Sequence, residues 1–249
     1  EGRKESFQRF IGIIGPFLLV LEFDVLDRDF VHEAFSAHAD GKLVRTITAH
    51  RDSLYAAALS PDGKTLATGS YDQQIKLWNA IDGRELLTIT GHNGAIFDLA
   101  FHPQGKILAS ASADRTVKLW NVATGERLDT LSQSLKEINS VVFSPDGKRI
   151  LAAGADNRIR VWNLSPSAAE NTNLLQLARF AHEGAILRLA FAPNGKTLVS
   201  SAEDRTVKIW DAEQLVERFV LANQSDWTAA LAVAPDNKML VLGRLDESY

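Results

Sequence analysis

The sequence predicts an all-β fold made of repeated four-stranded antiparallel units, and three observations predict it. The block Ser/His/Ala-Pro-(Asp/Gln/Asn)-Gly-Lys occurs at 60–64, 102–106, 144–148 and 192–196, and a fifth copy at 234–238 carries Asn in place of Gly. Seventeen residues after the first four prolines stand Trp78, Trp120, Trp162 and Trp210, and eleven before all five stand His50, His92, Ser134, His182 and Gln224. Successive prolines are 42, 42, 48 and 42 residues apart. A fixed period of that size marks a supersecondary unit that buries its apolar face only by stacking on its neighbours.

Within a unit the elements follow in order. The first strand is illustrated by residues 95–101, where Leu99 and Phe101 alternate but Ala100 between them is also apolar. Both faces must therefore be buried, as in a sheet sandwiched between two others. Pro-Asp-Gly-Lys is a turn: proline presets φ, glycine accepts a positive φ, and a hairpin leads into residues 65–70. The third strand reads as a clean alternation in Val117-Lys-Leu-Trp120 and Val207-Lys-Ile-Trp210. The turn dipeptides Asp82-Gly83 and Thr124-Gly125 then lead to an outer strand such as Glu85–Ile89.

This pattern resembles the WD40 repeat family, closely over residues 50–249 and more loosely over 32–49. Strict Trp-Asp occurs only at Trp210-Asp211; Trp78, Trp120 and Trp162 are each followed by Asn. The resemblance implies a β-propeller of four-stranded antiparallel blades, usually seven in a closed ring. This chain carries complete units at 50–91, 92–133, 134–181 and 182–223, an interrupted unit at 224–249, and part of an earlier one at 32–49. In that earlier unit Asp40–Ile47 matches Asp82–Ile89, and Ser36 falls in the tryptophan's place. Five to six blades are represented, so an incomplete propeller is expected, as a fragment of a larger, bacterial-type protein of this family. The start at Glu1 rather than Met agrees with a fragment or a processed chain.

Residues 1–31 remain unassigned between two readings. A degenerate blade is suggested by the strand-like run Phe17–Phe23. A signal or anchor is suggested by Ile11–Leu21, which follows Arg3, Lys4 and Arg9 and has the length of a signal-peptide core. It is too short to span a bilayer, holds Pro16, and leads into Glu22-Phe23-Asp24 without a small-residue cleavage site. The compartment is undetermined: the cytoplasm is slightly favoured, with export the alternative if residues 1–21 act as a signal.

Composition narrows the function classes. There are 27 Lys and Arg against 31 Asp and Glu, a net charge of −4, with no long basic run, which argues against nucleic acid as the partner. With no cysteine, disulfides, thiolate metal sites, iron–sulfur clusters and a cysteine nucleophile are excluded together. His32, His38 and Asp40 lie close in sequence, but such a group is common by accident and no metal is assigned to it. The recurrent Gly-Lys belongs to hairpin turns rather than a phosphate loop. No cofactor is expected.

Three sets of four polar residues recur at fixed spacing: His50, Thr68, Asp72 and Trp78; His92, Ser110, Asp114 and Trp120; His182, Ser200, Asp204 and Trp210. In residue type they resemble a hydrolase triad, yet a triad is assembled once per active site and this set occurs three times. The family resemblance implies a structural hydrogen-bonded chain from Asp to His to hydroxyl to indole, each bond contributing about 1 kcal/mol net. The third unit has Ser134 and Ala152 where His and hydroxyl are expected, and the fifth has Gln224 and Leu242, so both are lost together.

The resemblance also places partner contacts beside the His and Asp loops. Carried over position by position, the candidates are Tyr71, Gln73, Arg115, Glu137, Asn157, Glu203, Arg205, Asp226 and Trp227. Arg115 and Arg205 sit in identical Asp-Arg-Thr-Val-Lys stretches, which a repeated salt bridge or a solvated turn would also explain. Trp227 stands where other units have Ser53, Ala95, Glu137 and Ala185, as a binding anchor or a cap on the last blade. The six-residue extension of the third unit, within Ser165–Asn173, reads as a flexible loop on the opposite face.

The function expected is a non-catalytic protein–protein interaction scaffold that binds other proteins or peptides through its loop face, with open blade edges allowing self-association. One alternative is a propeller-type metal-dependent hydrolase or lactonase, whose cation would need carboxylates converging from first strands. The aligned position there holds Ala56, Asp98, Ser140, Arg188 and Ala230, a poor cage. The other is a structural spacer array in a multidomain protein.

Overall fold

Turn chemistry sets the strand boundaries. In each Pro-containing hairpin the fourth turn residue donates its N–H to the carbonyl of the first: Gly63 to Ser60, Gly105 to His102, Gly147 to Ser144 and Gly195 to Ala192, at 2.7–2.8 Å. These glycines have φ between 69° and 74°, a left-handed conformation that costs a side chain energy. Asn237 takes the same role in the fifth copy at φ 61°, which is why Asn is accepted there. The residue after each tryptophan explains the mixed Trp-Asn and Trp-Asp. Asn79, Asn121 and Asp211 each accept a backbone N–H with Oδ1, from Ile81, Ala123 and Glu213, at 2.9–3.0 Å. Either side chain supplies the oxygen this turn needs.

The structure, a computed structural model, describes residues 8–14, 17–23, 33–38 and 43–244, with side chains from Ile47 onward. Among them are five four-stranded antiparallel sheets and a two-stranded one, with no helix. Each four-stranded sheet has the strand order and antiparallel pairing of a WD40-type propeller blade. The first sheet joins β1 (Gln8–Ile14), β2 (Phe17–Phe23), β3 (Glu33–His38) and β4 (Leu43–Thr48) in that order. The second holds β5 (Leu54–Leu59), β6 (Thr65–Ser70), β7 (Ile75–Asn79) and β8 (Glu85–Ile89). The third holds β9 (Ile96–Phe101), β10 (Ile107–Ser112), β11 (Val117–Asn121) and β12 (Arg127–Leu131). The fourth holds β13 (Ile138–Phe143), β14 (Arg149–Gly154), β15 (Arg158–Asn163) and β16 (Leu174–Phe180). The fifth holds β17 (Ile186–Phe191), β18 (Thr197–Ala202), β19 (Val207–Asp211) and β20 (Glu217–Leu221), and β21 (Thr228–Val233) pairs with β22 (Leu240–Arg244).

Of the apolar stretch, residues 11–14 lie in β1 and 17–21 in β2, which pair antiparallel, and the first sheet joins residues on both sides of position 31. Its register corrects one alignment. In the later sheets a bulge places the tryptophan opposite the first paired residue of the outer strand: Trp78 faces Glu85 and Trp120 faces Arg127. In the first sheet it is Ala37 that faces Leu43, so Ala37, not Ser36, holds the tryptophan register. Of the weak metal candidates, His32 and Asp40 lie outside the described residues, as does the side chain of His38.

The contacts divide the chain into two compact units, 1–96 and 97–249. In the first, Ala49, Leu54, Leu66 and Trp78 form a buried cluster. In the second, β13 packs against β10 and β17, and β17 against β21. One core cluster there runs from Ala109 and Leu119 through Ile138 and Ile150 to Trp162, and another from Leu151 and Ile159 to Leu198 and Trp210.

Two sequence expectations fail here. The third strands do not alternate cleanly in burial: in β11 Val117, Lys118, Leu119 and Trp120 are all buried, as is Arg160 in β15, and in β19 Lys208 and Ile209 are both half-buried. Both faces of these strands are covered, and the aliphatic stems of Lys and Arg tolerate that cover. Nor is the extension in the third unit a loose loop. Ala168 is fully buried in the core, and Asn173 Nδ2 donates to the buried Asp129 Oδ2 at 2.6 Å. The extra residues tie the fourth sheet to β12 of the third.

Candidate functional site

Each recurring polar set begins in the loop before a first strand and ends in the third strand of the same sheet. In the second sheet, Trp78 Nε1 donates to Thr68 Oγ1 at 2.9 Å, and Thr68 Oγ1 lies 2.8 Å from His50 Nε2. His50 Nδ1 lies 3.1 Å from Asp72 Oδ2. In the fifth sheet, Trp210 Nε1 donates to Ser200 Oγ at 2.8 Å, Ser200 Oγ lies 2.7 Å from His182 Nε2, and His182 Nδ1 lies 3.0 Å from Asp204 Oδ2. In the third sheet Trp120 Nε1 donates to Ser110 Oγ at 2.8 Å, Asp114 Oδ1 accepts from the Thr116 N–H and hydroxyl, and His92 is buried.

The protonation state follows from the donors. Nδ1 faces a carboxylate, which only accepts, so Nδ1 carries the hydrogen; in the neutral ring Nε2 is then bare and accepts the hydroxyl proton, while the hydroxyl oxygen accepts from the indole. Burial lowers the pKa of His50 and His182, against the pull of Asp72 and Asp204, so the imidazoles are neutral near pH 7. Burial alone would raise Asp204, but the Thr206 hydroxyl, His182 and backbone N–H groups hold it below the usual carboxylate range.

The fourth sheet keeps Trp162 and Asp156 without His or hydroxyl, and two residues absent from the sequence-derived set replace them. Trp162 Nε1 donates to Gln133 Oε1 at 3.1 Å. Arg160 donates from Nη1 and Nη2 to the Asp156 carboxylate at 3.0 and 2.5 Å, and from Nε to the Gln133 carbonyl at 3.1 Å. Both signals were in the repeat columns: Gln133 stands where other units have Ala49, Gly91 and Ala181, and Arg160 where they have lysine. Loss of His and hydroxyl had left a buried indole and a buried carboxylate still needing partners.

The carboxylates also fix the loops around them. Asp72 accepts from the Arg51 and Gln74 N–H groups, and Asp204 from those of Glu183 and Thr206, at 3.0–3.2 Å. Turn and loop are tied again by backbone bonds from Tyr71 N–H to Ser53, Ala155 N–H to Glu137, and Glu203 N–H to Ala185, at 2.9–3.0 Å.

The candidate contact residues lie on these clamped segments. Gln73, Arg115, Asn157 and Arg205 occupy one turn position, each with φ between 60° and 72°. Tyr71, Gln73, Arg115, Glu137, Glu203 and Arg205 are exposed, Asn157 and Asp226 are half-buried, and Trp227 is 39% exposed. Arg115 and Arg205 form no ion pair among the described residues, so a repeated salt bridge does not explain them.

The aligned first-strand position holds a polar chain rather than converging carboxylates. Ser140 Oγ and the Val141 N–H donate to Asp98 Oδ2 at 2.8 and 2.9 Å, and the Leu189 N–H donates to Ser140 Oγ at 3.1 Å. Arg188 donates from Nε to the Ala229 carbonyl and from Nη1 to the Asn139 carbonyl, both at 3.2 Å. Among the described residues no three His, Cys, Asp or Glu side chains converge, and no helix is long and apolar enough to cross a membrane.

A family model described as "WD domain, G-beta repeat" matches residues 41–79, 83–121, 125–163 and 175–211, more than half of the chain. Each match runs from an outer strand through the first three strands of the next sheet. No curated protein matches the chain.

Proposed function

Because the chain belongs to the WD40 family, whose repeats generally serve as protein-interaction scaffolds, we propose that its clamped loops form a platform for other proteins or peptides. The observation that carries this reading is the set Gln73, Arg115, Asn157 and Arg205, held at positive φ by turns that hydrogen bonds anchor from beneath. A side chain in the left-handed region costs roughly 1–2 kcal/mol, and Gly would avoid that cost. Among the described residues the two arginines have no ion pair that would offset it. Their heads are presented on pre-ordered backbone, which lowers the entropic cost of binding.

Members of this family are typically not enzymes, and in this reading the polar sets hold blades together rather than react. The hydrolase alternative has little support from residue chemistry, since a guanidinium occupies the column where cation ligands would converge.

The test is a quantitative pull-down with wild type and a variant in which Tyr71, Arg115, Glu203 and Trp227 are all alanine, after both are shown to melt alike. A partner captured by the wild type and lost by the variant is expected. An unchanged set of partners would move the site to another face, and none at all would favour the spacer reading.

A further inference from the structure

The loop face of the second sheet carries an aromatic pair found in no other described unit. Tyr71 stands in a turn where the equivalent positions are Ala113, Ala155 and Glu203, and Tyr55 stands in β5 where they are Phe97, Asn139, Leu187 and Ala229. Both tyrosines stay open to solvent, at 56% and 41%, with ring centroids 6.3 Å apart and planes tilted by 44°. Two exposed rings this close do not serve the core: Tyr71 adds nothing the alanines of the next two units lack. The backbone beneath is fixed, since the Tyr71 N–H donates to the Ser53 carbonyl at 2.9 Å and the buried Ser70 hydroxyl to the Asp52 carbonyl at 3.0 Å. These two bonds set the Asp52 loop against the Tyr71 turn.

We propose that Tyr55, Tyr71 and Asp52 receive a cationic side chain, an alkylammonium or a guanidinium, from a partner peptide. The inference rests on the platform reading above and gives one part of that platform a chemistry. An aromatic face attracts a cation within about 6 Å of its centroid, and rings 6.3 Å apart allow one cation to lie within that range of both. Asp52 supplies the formal charge. Burial pushes the Tyr55 phenol up, and Tyr71 and the Asp52 carboxylate add to that shift. An acidic peptide would meet two electron-rich faces and a carboxylate, and an aliphatic one would gain contact with the rings but no electrostatic attraction.

The test uses the whole chain and glycine–serine peptides that differ at one central residue: trimethyl-lysine, its neutral tert-butyl carbon analogue, lysine, arginine or glutamate. Fluorescence anisotropy gives affinities, and NMR follows the ring resonances of Tyr55 and Tyr71. The charged peptides are expected to bind about three- to thirty-fold more tightly than the carbon analogue and to shift both rings. Tyr71→Ala, a side chain two other units carry at this position, should abolish that preference, and Tyr71→Phe should keep it. Asp52→Asn should weaken the charged peptides alone and flatten their salt dependence. Equal affinity for the carbon analogue, or unmoved tyrosine rings, would overturn the proposal. If the pull-down variant loses a partner while these peptides show no charge preference, the cation site falls and the platform stands. If charge-selective binding appears without any captured partner, the reverse holds.

Discussion

At His182 one imidazole must accept a proton from Ser200 and donate one to Asp204, and only the neutral ring does both. Removing it in His182→Ala leaves a buried hydroxyl without its acceptor, so a loss of about 1–3 kcal/mol is expected in urea denaturation. The fourth sheet should be less forgiving. Arg160→Ala leaves the Asp156 carboxylate, whose side chain is 8% exposed, without its cation and with the Ser134 hydroxyl and the Arg158 N–H at 3.3 Å, and breaking a buried ion pair costs about 3–5 kcal/mol. Equal losses in the two variants would show that the Arg160–Asp156 pair costs no more to break than the bonds of the neutral histidine. The same ring chemistry sets a pH dependence. The folded pKa of His50 and His182 lies below the unfolded value, so the unfolded chain binds more protons as pH falls below about 6.5. Their contribution is complete above that pH and declines below it, before Asp204 and Asp156 lose theirs below about pH 4. A urea midpoint that stays flat from pH 8 to pH 5.5 would contradict the neutral assignment.

At the scale of the element, two hairpin glycines separate backbone strain from packing. Gly63 and Gly147 have φ of 71° and 73°, but a Cβ at Gly63 meets nothing within 4 Å, whereas one at Gly147 would lie 2.4 Å from His102 Nε2. His102 has little room to move: it is buried, lies edge-on to Phe143, bonds the Gly147 carbonyl with Nε2 and accepts the Gln104 N–H with Nδ1. Gly63→Ala should cost about 1–2 kcal/mol from its backbone alone, and Gly147→Ala at least about 1 kcal/mol more. In a His102→Ser background the difference should vanish, and a difference that persists would place the clash elsewhere. The repeat made such turns legible before any coordinates, but not that one hairpin histidine braces the next hairpin. Column by column, His102 is merely a serine replaced.

Across the whole molecule the outer strands are unequal. β12 carries Arg127 and Asp129, while β16 is exposed along its length and presents Leu174, Leu177 and Phe180. β22 has no outer partner among the described residues and exposes Val241, with Met239 just before it. Open apolar edges invite further strand pairing. Sedimentation over two decades of concentration should therefore show association, reduced by Leu177→Lys combined with Val241→Lys. A strictly monomeric wild type would sink this expectation.

The repeat period, the turn residues and the tryptophan spacing determined the fold class, the strand order and the four-residue polar sets, because each depends on local geometry that recurs with the chain. What the tertiary structure decided depends on neighbours far apart in sequence. The exchange of His and hydroxyl for Arg160 and Gln133, the anchoring of the 165–173 extension through Ala168 and Asn173, and the pairing of Tyr55 with Tyr71 arise where separate segments meet. A repeat alignment shows which side chain is unusual in its column. Only packing shows which other unusual side chain it answers.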